Sequence, residues 1–160
     1  MLRGAIKKPL ATYLSEKIWS KYGMDAPATW WLASPGGIEI GGSGFSATLR
    51  DYARFGLFIM NGALINGQSI LPEGWLAEAT PSKTLIGGAS INYGYCWWIP
   101  PGGPSREAGA FYSNGIEGQN ISINPKEKLA IVMWGAQSKP GGVAPINTFD
   151  FFDSVVAALK

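Results

Sequence analysis

The period of the apolar residues changes near residue 90, and this limits the possible folds more than any other feature of the chain. Before that point the spacing is helical. Pro9–Tyr22 reads as a helix: Pro9 suits a first helical position, Leu10, Leu14 and Ile18 share one face, and Gly23 stops it. Asp25–Gly44 reads as a loop, broken by Pro27, Pro35, Gly36, Gly37, Gly41, Gly42 and Gly44 around Trp30 and Trp31. A second helix is predicted after Thr48. Thr48 and Asp51 have capping-box spacing, with Asp as a shorter stand-in for Glu. Its stripe is Leu49, Tyr52, Ala53, Gly56, Leu57 and Met60, and Asn61-Gly62 ends it. Pro72–Thr80 reads as a short third helix opened by Pro72.

Beyond residue 90 the pattern becomes strand-like. Tyr93–Ile99 is aromatic-rich, which favours a strand. Gln119–Asn124 alternates, with Ile121 and Ile123 on one face and Asn120 and Ser122 on the other. Asn124–Lys128 is a turn containing Pro125, and Leu129–Trp134 is an apolar strand, so the two form an antiparallel hairpin. Ala144–Asn147 then leads into a last helix with the stripe Phe149, Phe152, Val156 and Leu159. Helices, then strands, then a helix give an α+β fold and not an alternating β/α one. The expected architecture is an antiparallel sheet of about three strands with flanking helices. With 160 residues the chain is expected to be one domain, a helical part over 1–88 and a sheet with a C-terminal helix over 89–160.

Composition narrows the chemistry. Charged residues are only 15% of the chain and there are 22 glycines, about twice the usual share, which suggests many tight turns and a large apolar surface. There is no histidine, so a self-contained Ser-His-Asp or Cys-His site is excluded, as is a zinc site that needs imidazole. Cys96 is the single cysteine, so no internal disulfide or Cys-x-x-Cys pair can form. Any nucleophilic chemistry would need Lys or Tyr as its base.

A net charge of +2 is too small for a nucleic-acid footprint. Arg3, Lys7, Lys8, Lys17 and Lys21 against Glu16 leave +4 on residues 1–22, a solvated helix face in the simpler reading and a docking surface in the other. Met1–Lys8 has no apolar run of signal-peptide length, and no segment approaches a membrane span. The chain as it stands is expected to be soluble and cytoplasmic, with no membrane or nucleic-acid partner and neither cofactor nor metal.

A serine nucleophile with a lysine base one helical turn later needs Ser-x-x-Lys, which puts both on one helix face. No serine in the chain has Lys three residues on. Tyr112-Ser113-Asn114 has the Tyr-x-Asn form of a second motif in such enzymes, but it lies at a strand-turn, where a structural role is the simpler reading. Lys83-Thr84 starts like Lys-Thr-Gly, and Leu85 spoils it. Gly41-Gly42-Ser43-Gly44 lacks both the nucleophile-elbow spacing and the phosphate-loop Lys. In Gly115-Ile116-Glu117-Gly118-Gln119 two glycines flank a turn where backbone N–H groups can face a ligand, although a turn needed only for chain reversal is the simpler reading. Cys96 is expected to be a small core residue, and Trp30, Trp31, Trp97 and Trp98 to be more core than ligand platform.

Several blocks together resemble the serine β-lactamase-like hydrolases: class C β-lactamases, penicillin-binding-protein-like esterases and nylon-oligomer hydrolases. They are Pro9-Leu10-Ala11-x-Tyr13-Leu14 with Ile18-Trp19, Ser46-Ala47-Thr48-Leu49-Arg50-Asp51-Tyr52-Ala53-Arg54-Phe55-Gly56, and Ile70-Leu71-Pro72-Glu73-Gly74-Trp75. Tyr93-Gly94-Tyr95-x-Trp97-Trp98, Gly115–Gln119, and Asn124-Pro125 through Ile131-Val132 follow in the family's order. The match covers only the family's C-terminal part, a partial β-lactamase-like sandwich. The resemblance implies that the Ser-x-x-Lys helix and the Tyr-containing second motif lie upstream of this chain, and that Leu2–Lys8 is the helix after that motif.

The resemblance places Ser113-Asn114-Gly115 where relatives carry Lys-Thr-Gly, on the strand lining the cleft. It makes the Ile116 N–H the second oxyanion donor. The departure from Lys at Ser113 fits ester or amide substrates better than carboxylate-bearing penicillin-type ones. No catalytic residue is assigned. Tyr112, Ser113, Asn114, Gly115 and Ile116 are the candidate substrate-binding residues, expected to line a groove facing Gly36–Gly44 and the Trp pairs. The expected function is the C-terminal segment of such a hydrolase, inactive alone, or a free-standing non-catalytic binding or self-associating protein on the same scaffold. The expected partners are a second copy in a homo-oligomer or a complementary N-terminal half, with a small ester or amide as ligand.

Overall fold

The computed structural model describes residues 2–141 and 146–160. The chain opens with α1 (Leu2–Ile6) and α2 (Leu10–Leu14), which passes into one π-helical turn over Ser15–Trp19. Pro9 stands just outside α2 with ψ 144°, so it caps the helix instead of occupying its first position. Gly23 ends the segment at φ 77°, a conformation glycine adopts at no steric cost. The expected loop over 25–44 contains a ribbon: β1 (Thr29–Trp30) pairs antiparallel with β2 (Phe45–Ser46), and Leu32 bridges Glu39. The buried Glu39 carboxylate accepts the Ala11 N–H at 3.1 Å and Arg3 at 3.2 Å, which ties this ribbon to α1 and α2.

The next helix is α3 (Leu49–Met60). Thr48 Oγ1 accepts the Asp51 N–H at 3.1 Å, as the capping spacing requires. Asp51 itself does something the capping box does not describe. Its buried carboxylate accepts the Asp25 N–H at 2.7 Å, the Ala26 N–H at 3.2 Å and the Thr48 hydroxyl at 2.8 Å. The buried arc of α3 is also rotated from the predicted stripe. Gly56, Phe58 and Ile59 are buried, while Leu49 and Leu57 remain 44% and 39% exposed. Phe58 and Ile59 are drawn into a cluster with Ile99, Phe111, Ile121 and Ile123, with Tyr22 edge-on to Phe58 at 4.9 Å.

From Ala63 to Ala108 the chain forms only short elements: β3 (Leu64–Ile65), β4 (Gln68–Ser69), α4 (Trp75–Ala79), β5 (Lys83–Thr84), β6 (Ser90–Ile91) and α5 (Gly103–Glu107). Asn66 and Gly67 join β3 to β4 with φ 51° and 80°, the two positive values of a type I′ hairpin turn. α4 begins after Gly74, whose φ of 73° leaves Pro72 in a preceding turn.

Tyr93–Ile99 is not a strand. The chain reverses at Tyr95-Cys96, with Tyr93 bridging Trp98 and the Gly94 N–H donating to Trp97 O at 2.7 Å. The Tyr95 N–H donates to Ala79 O at 2.8 Å, and a Cβ on Gly94 would sit 1.8 Å from that oxygen. Contact with the end of α4 therefore bends the segment. Cys96 sits at the turn with φ 63° and is exposed, not in the core.

The sheet has order β7-β8-β9, all antiparallel: β7 (Phe111–Asn114), β8 (Asn120–Asn124) and β9 (Leu129–Met133). The predicted hairpin is present, with Asn124 opposite Leu129, and β7 takes the third place expected for Tyr93–Ile99. Ile121 and Ala130 pack under α3 at Gly56, where a Cβ would lie 3.2 and 3.1 Å from their methyl carbons. α6 (Thr148–Ala158) is capped by Asn147, whose Oδ1 accepts the N–H groups of Phe149 and Asp150. Phe149 meets Tyr112 edge-on at 5.1 Å and Phe152 is buried, but Leu159 is 70% exposed and leaves the predicted stripe. Ala144, in the predicted lead-in, lies outside the described residues. The α+β architecture with flanking helices is thus present.

Candidate active-site groove

A groove of about 520 Å³ opens at one end of the sheet. One wall is the end of β7 and the start of β8: Ser113, Asn114, Gly115, Gln119, Asn120 and Ile121. The other is the β2–α3 link and the exit of β9: Phe45, Ser46, Ala47, Tyr52, Val132, Met133, Trp134 and Gly135. No charged side chain is among these residues.

Three of the five candidate residues, Ser113, Asn114 and Gly115, line the groove. Tyr112 does not. Its register opposite Ser122 puts it on the alternate face, against Phe149, where burial raises its pKa. Ile116 lies beyond the groove in the turn, 64% exposed. The wall opposite Ser113 is formed by Phe45–Ala47 and Tyr52, not by Gly36–Gly44 or the Trp pairs. Each Trp pair splits: Trp31 and Trp98 are exposed, whereas Trp30 and Trp97 are half-buried.

The turn after β7 is held by its backbone. The Gly115 N–H donates to Gln119 O at 2.7 Å and the Gly118 N–H to Gly115 O at 3.0 Å. The carbonyls of Ile116 and Glu117 accept the N–H groups of Gly141 and Gln137, at 2.8 and 3.1 Å. Among the described residues, no protein acceptor takes the Ile116 N–H. Gly135 allows this arrangement, since a Cβ there would lie 2.7 Å from the carbonyl oxygens of Glu117 and Gly118.

The opposite wall is fixed by aromatic rings in contact. Phe45 meets Trp19 at 5.4 Å, Trp30 at 5.3 Å and Tyr52 at 6.2 Å, and Tyr52 meets Trp134 at 6.4 Å. The indole N–H groups of Trp19 and Trp30 donate to Ala26 O and Ile40 O, both at 2.9 Å. The Tyr52 hydroxyl donates to Phe45 O at 2.9 Å. Burial raises its pKa, so it stays a protonated donor.

Below this wall, Asp51 holds the start of α3 to the Asp25–Ala26 backbone, and Arg54 approaches both Asp51 (3.3 Å) and Asp25 (3.5 Å). Burial pushes the Asp51 pKa up, but the hydrogen bonds from Asp25, Thr48, Ala26 and Arg54 outweigh it, and the net direction is down. Sequence reasoning missed this wall. Phe45 stands between a loop and a helix cap, where no periodic signal marks it. Asp51 was legible only as a capping residue.

Comparison with known proteins gives consistent results. The family described as Beta-lactamase matches residues 1–150. The 6-aminohexanoate-dimer hydrolase of Paenarthrobacter ureafaciens is 28% identical over 137 residues, 79% of this chain and 33% of that protein. A solved structure from Bacillus anthracis, named after the same hydrolase, matches with a TM-score of 0.75 and 34% identity. That match covers 98% of this chain and 39% of the other. The chain therefore spans between a third and two fifths of the length of these relatives.

Proposed function

The chain belongs to the beta-lactamase family, and we propose that it contributes the substrate-binding wall of a serine hydrolase for esters or amides without carrying the nucleophile. The observation behind this reading is an uncharged groove with hydrogen-bonding groups along one rim and no activated base on either wall. Ser113, Asn114 and Gly115 offer that polar edge, and Phe45, Tyr52, Val132 and Trp134 offer apolar surface for an acyl or alkyl chain. The Ile116 N–H, in the turn just beyond this rim and taken by no acceptor among the described residues, is the oxyanion donor that the family resemblance implies. Relatives named as 6-aminohexanoate-dimer hydrolases support the choice of an ester or amide ligand.

Two serines, Ser46 and Ser113, line the groove, and Tyr52 is the titratable group beside them. A tyrosine can serve as base only by yielding its proton. Tyr52 spends its hydroxyl on Phe45 O, and burial opposes its ionisation. No serine is followed three residues later by lysine. An oxyanion donor without an activated nucleophile binds and does not turn over.

The chain is therefore expected to bind short esters or amides weakly and to hydrolyse none alone. Incubation with p-nitrophenyl esters, nitrocefin and a fluorophosphonate probe, followed by intact mass, tests this. The expected result is an unmodified mass and no release of chromophore. Stoichiometric labelling of any serine would overturn the reading.

A further inference from the structure

The chain contains three Asn-Gly pairs: Asn61-Gly62, Asn66-Gly67 and Asn114-Gly115. Such a pair can rearrange without an enzyme, because glycine has no side chain to screen its backbone nitrogen from the preceding carboxamide. In a folded chain the rate depends on whether that nitrogen is free, uncrowded and able to swing toward the asparagine Cγ. The three pairs differ on each count.

The Gly62 N–H donates to Ile59 O at 3.0 Å, and Ala63 after it is fully buried with its own N–H on Phe58 O at 2.8 Å. The Gly115 N–H donates to Gln119 O at 2.7 Å. The Gln119 carboxamide also crowds that glycine, since a Cβ there would lie 2.4 Å from Oε1. Asn114 is itself paired with Asn120 in the three-stranded sheet. Gly67 has none of these restraints. Among the described residues no acceptor takes its N–H, and a Cβ placed on it would meet nothing within 4 Å. Asn66 is exposed. The turn is held only by β3 and β4, two residue pairs with no third strand beside them. A ribbon of that size opens at little cost, so the Asn66–Gly67 peptide plane can rotate.

We propose that Asn66-Gly67 is a site of spontaneous covalent modification, at which Asn66 becomes aspartate and isoaspartate ahead of Asn61 and Asn114. The Gly67 nitrogen gives its proton to base and bonds to Asn66 Cγ. The Cγ–Nδ2 bond then breaks, and Nδ2 leaves as ammonia, closing a five-membered succinimide. Water opens that ring at either carbonyl carbon. Cleavage of the new N–Cγ bond gives aspartate. Cleavage of the original peptide bond leaves the chain running through Cβ and Cγ, which is isoaspartate. Either product adds a carboxylate, so the formal net charge of +2 falls by one. Isoaspartate also lengthens the backbone of a two-residue turn that sets the Ile65–Gln68 and Leu64–Ser69 register, and so undoes the hairpin.

The test is incubation of the 160-residue chain in warm, mildly alkaline buffer, one sample folded and one held unfolded in urea. Trypsin leaves Asn61 and Asn66 together in Phe55–Lys83 and Asn114 in Glu107–Lys126. Fragmentation of these peptides assigns each gain of about 1 Da to its residue. In the folded sample Asn66 is expected to convert at least about tenfold faster than either of the others. In urea the three rates are expected to converge. Asn66→Gln, which would have to close a six-membered ring, is expected to remove the fast phase from the folded sample. Equal rates in the folded chain, or Asn61 or Asn114 converting first, would overturn the proposal. So would a lead for Asn66 that persists undiminished in urea, or a fast phase that survives Asn66→Gln.

Discussion

In α3 and the three-stranded sheet, glycine serves packing, whereas in the segment from Asn61 to Gly109 it serves backbone reversal. Gly56 lets α3 settle onto Ala130 and Ile121. Phe58 and Ile123, beside it, are almost wholly buried. In the other segment Gly62, Gly67, Gly74, Gly87, Gly88, Gly103 and Gly109 all have positive φ. Large apolar side chains stay in solvent there: Trp75, Leu85, Ile86 and Trp98 are 40%, 47%, 108% and 43% exposed. One region is specified by burial and the other by turns. Stability is therefore concentrated in α3 and the sheet, and the groove borrows its rigidity from them.

The comparison breaks first, if it is wrong, under truncation of a side chain in each region. Phe58→Ala leaves a cavity at the centre of the core cluster and is expected to cost about 3–5 kcal/mol. Ile86→Ala removes atoms already in solvent and should stay within about 0.5 kcal/mol of the parent. Urea unfolding of both variants measures the difference. Equal losses would mean that the segment from Asn61 to Gly109 carries as much of the stability as the sheet.

A smaller effect is expected at the foot of the groove wall, where α3 is held to the Asp25–Ala26 backbone. Asp51→Ala strands the N–H groups of Asp25 and Ala26 and loosens Arg54, for about 2–4 kcal/mol. The same carboxylate gives a pH signature. Its folded pKa is depressed below the unfolded value, and that of Glu39 is also lowered, first by the Ala11 N–H. Their contribution is complete above the unfolded values of about 4 and is lost as pH falls through the lower folded values. Acid titration of stability should therefore fall steeply below about pH 4, and Asp51→Asn should flatten that fall. An unchanged acid limb would remove Asp51 from the account.

What was legible in the sequence divides along the same line. The β8–β9 hairpin and α3 were readable because burial writes a period into the chain, as at Ile121 and Ile123. Composition favours a strand over Tyr93–Ile99, but contact of Gly94 with Ala79 O bends it, and a one-residue contact leaves no period. The Asn66-Gly67 turn carried a readable signal, two residues of the right type between short apolar runs. In the groove, Ser113–Gly115 came from motif order, whereas Phe45 and Tyr52 were brought there by aromatic contacts between distant segments. The buried arc of α3 is rotated from the expected stripe toward Phe58 and Ile59, which leaves Leu49 and Leu57 partly exposed.

The smallest expected effect tests whether backbone conformation alone governs the segment from Asn61 to Gly109. Cys96 holds φ 63° at the tip of its reversal, with its side chain exposed. For an L-residue the left-handed region costs ~1–2 kcal/mol, which glycine avoids. Glycine also raises the entropy of the unfolded chain, for about 0.5–1 kcal/mol in the opposite direction. The balance for Cys96→Gly is a gain of about 0.5–1 kcal/mol, or roughly 2–3 °C in Tm for a chain of this size. No apolar burial is lost, because the thiol already faces solvent. A thermal melt in which Cys96→Gly lowers Tm would show that the side chain makes a contact the turn depends on. The segment would then be held by burial after all, as the sheet is.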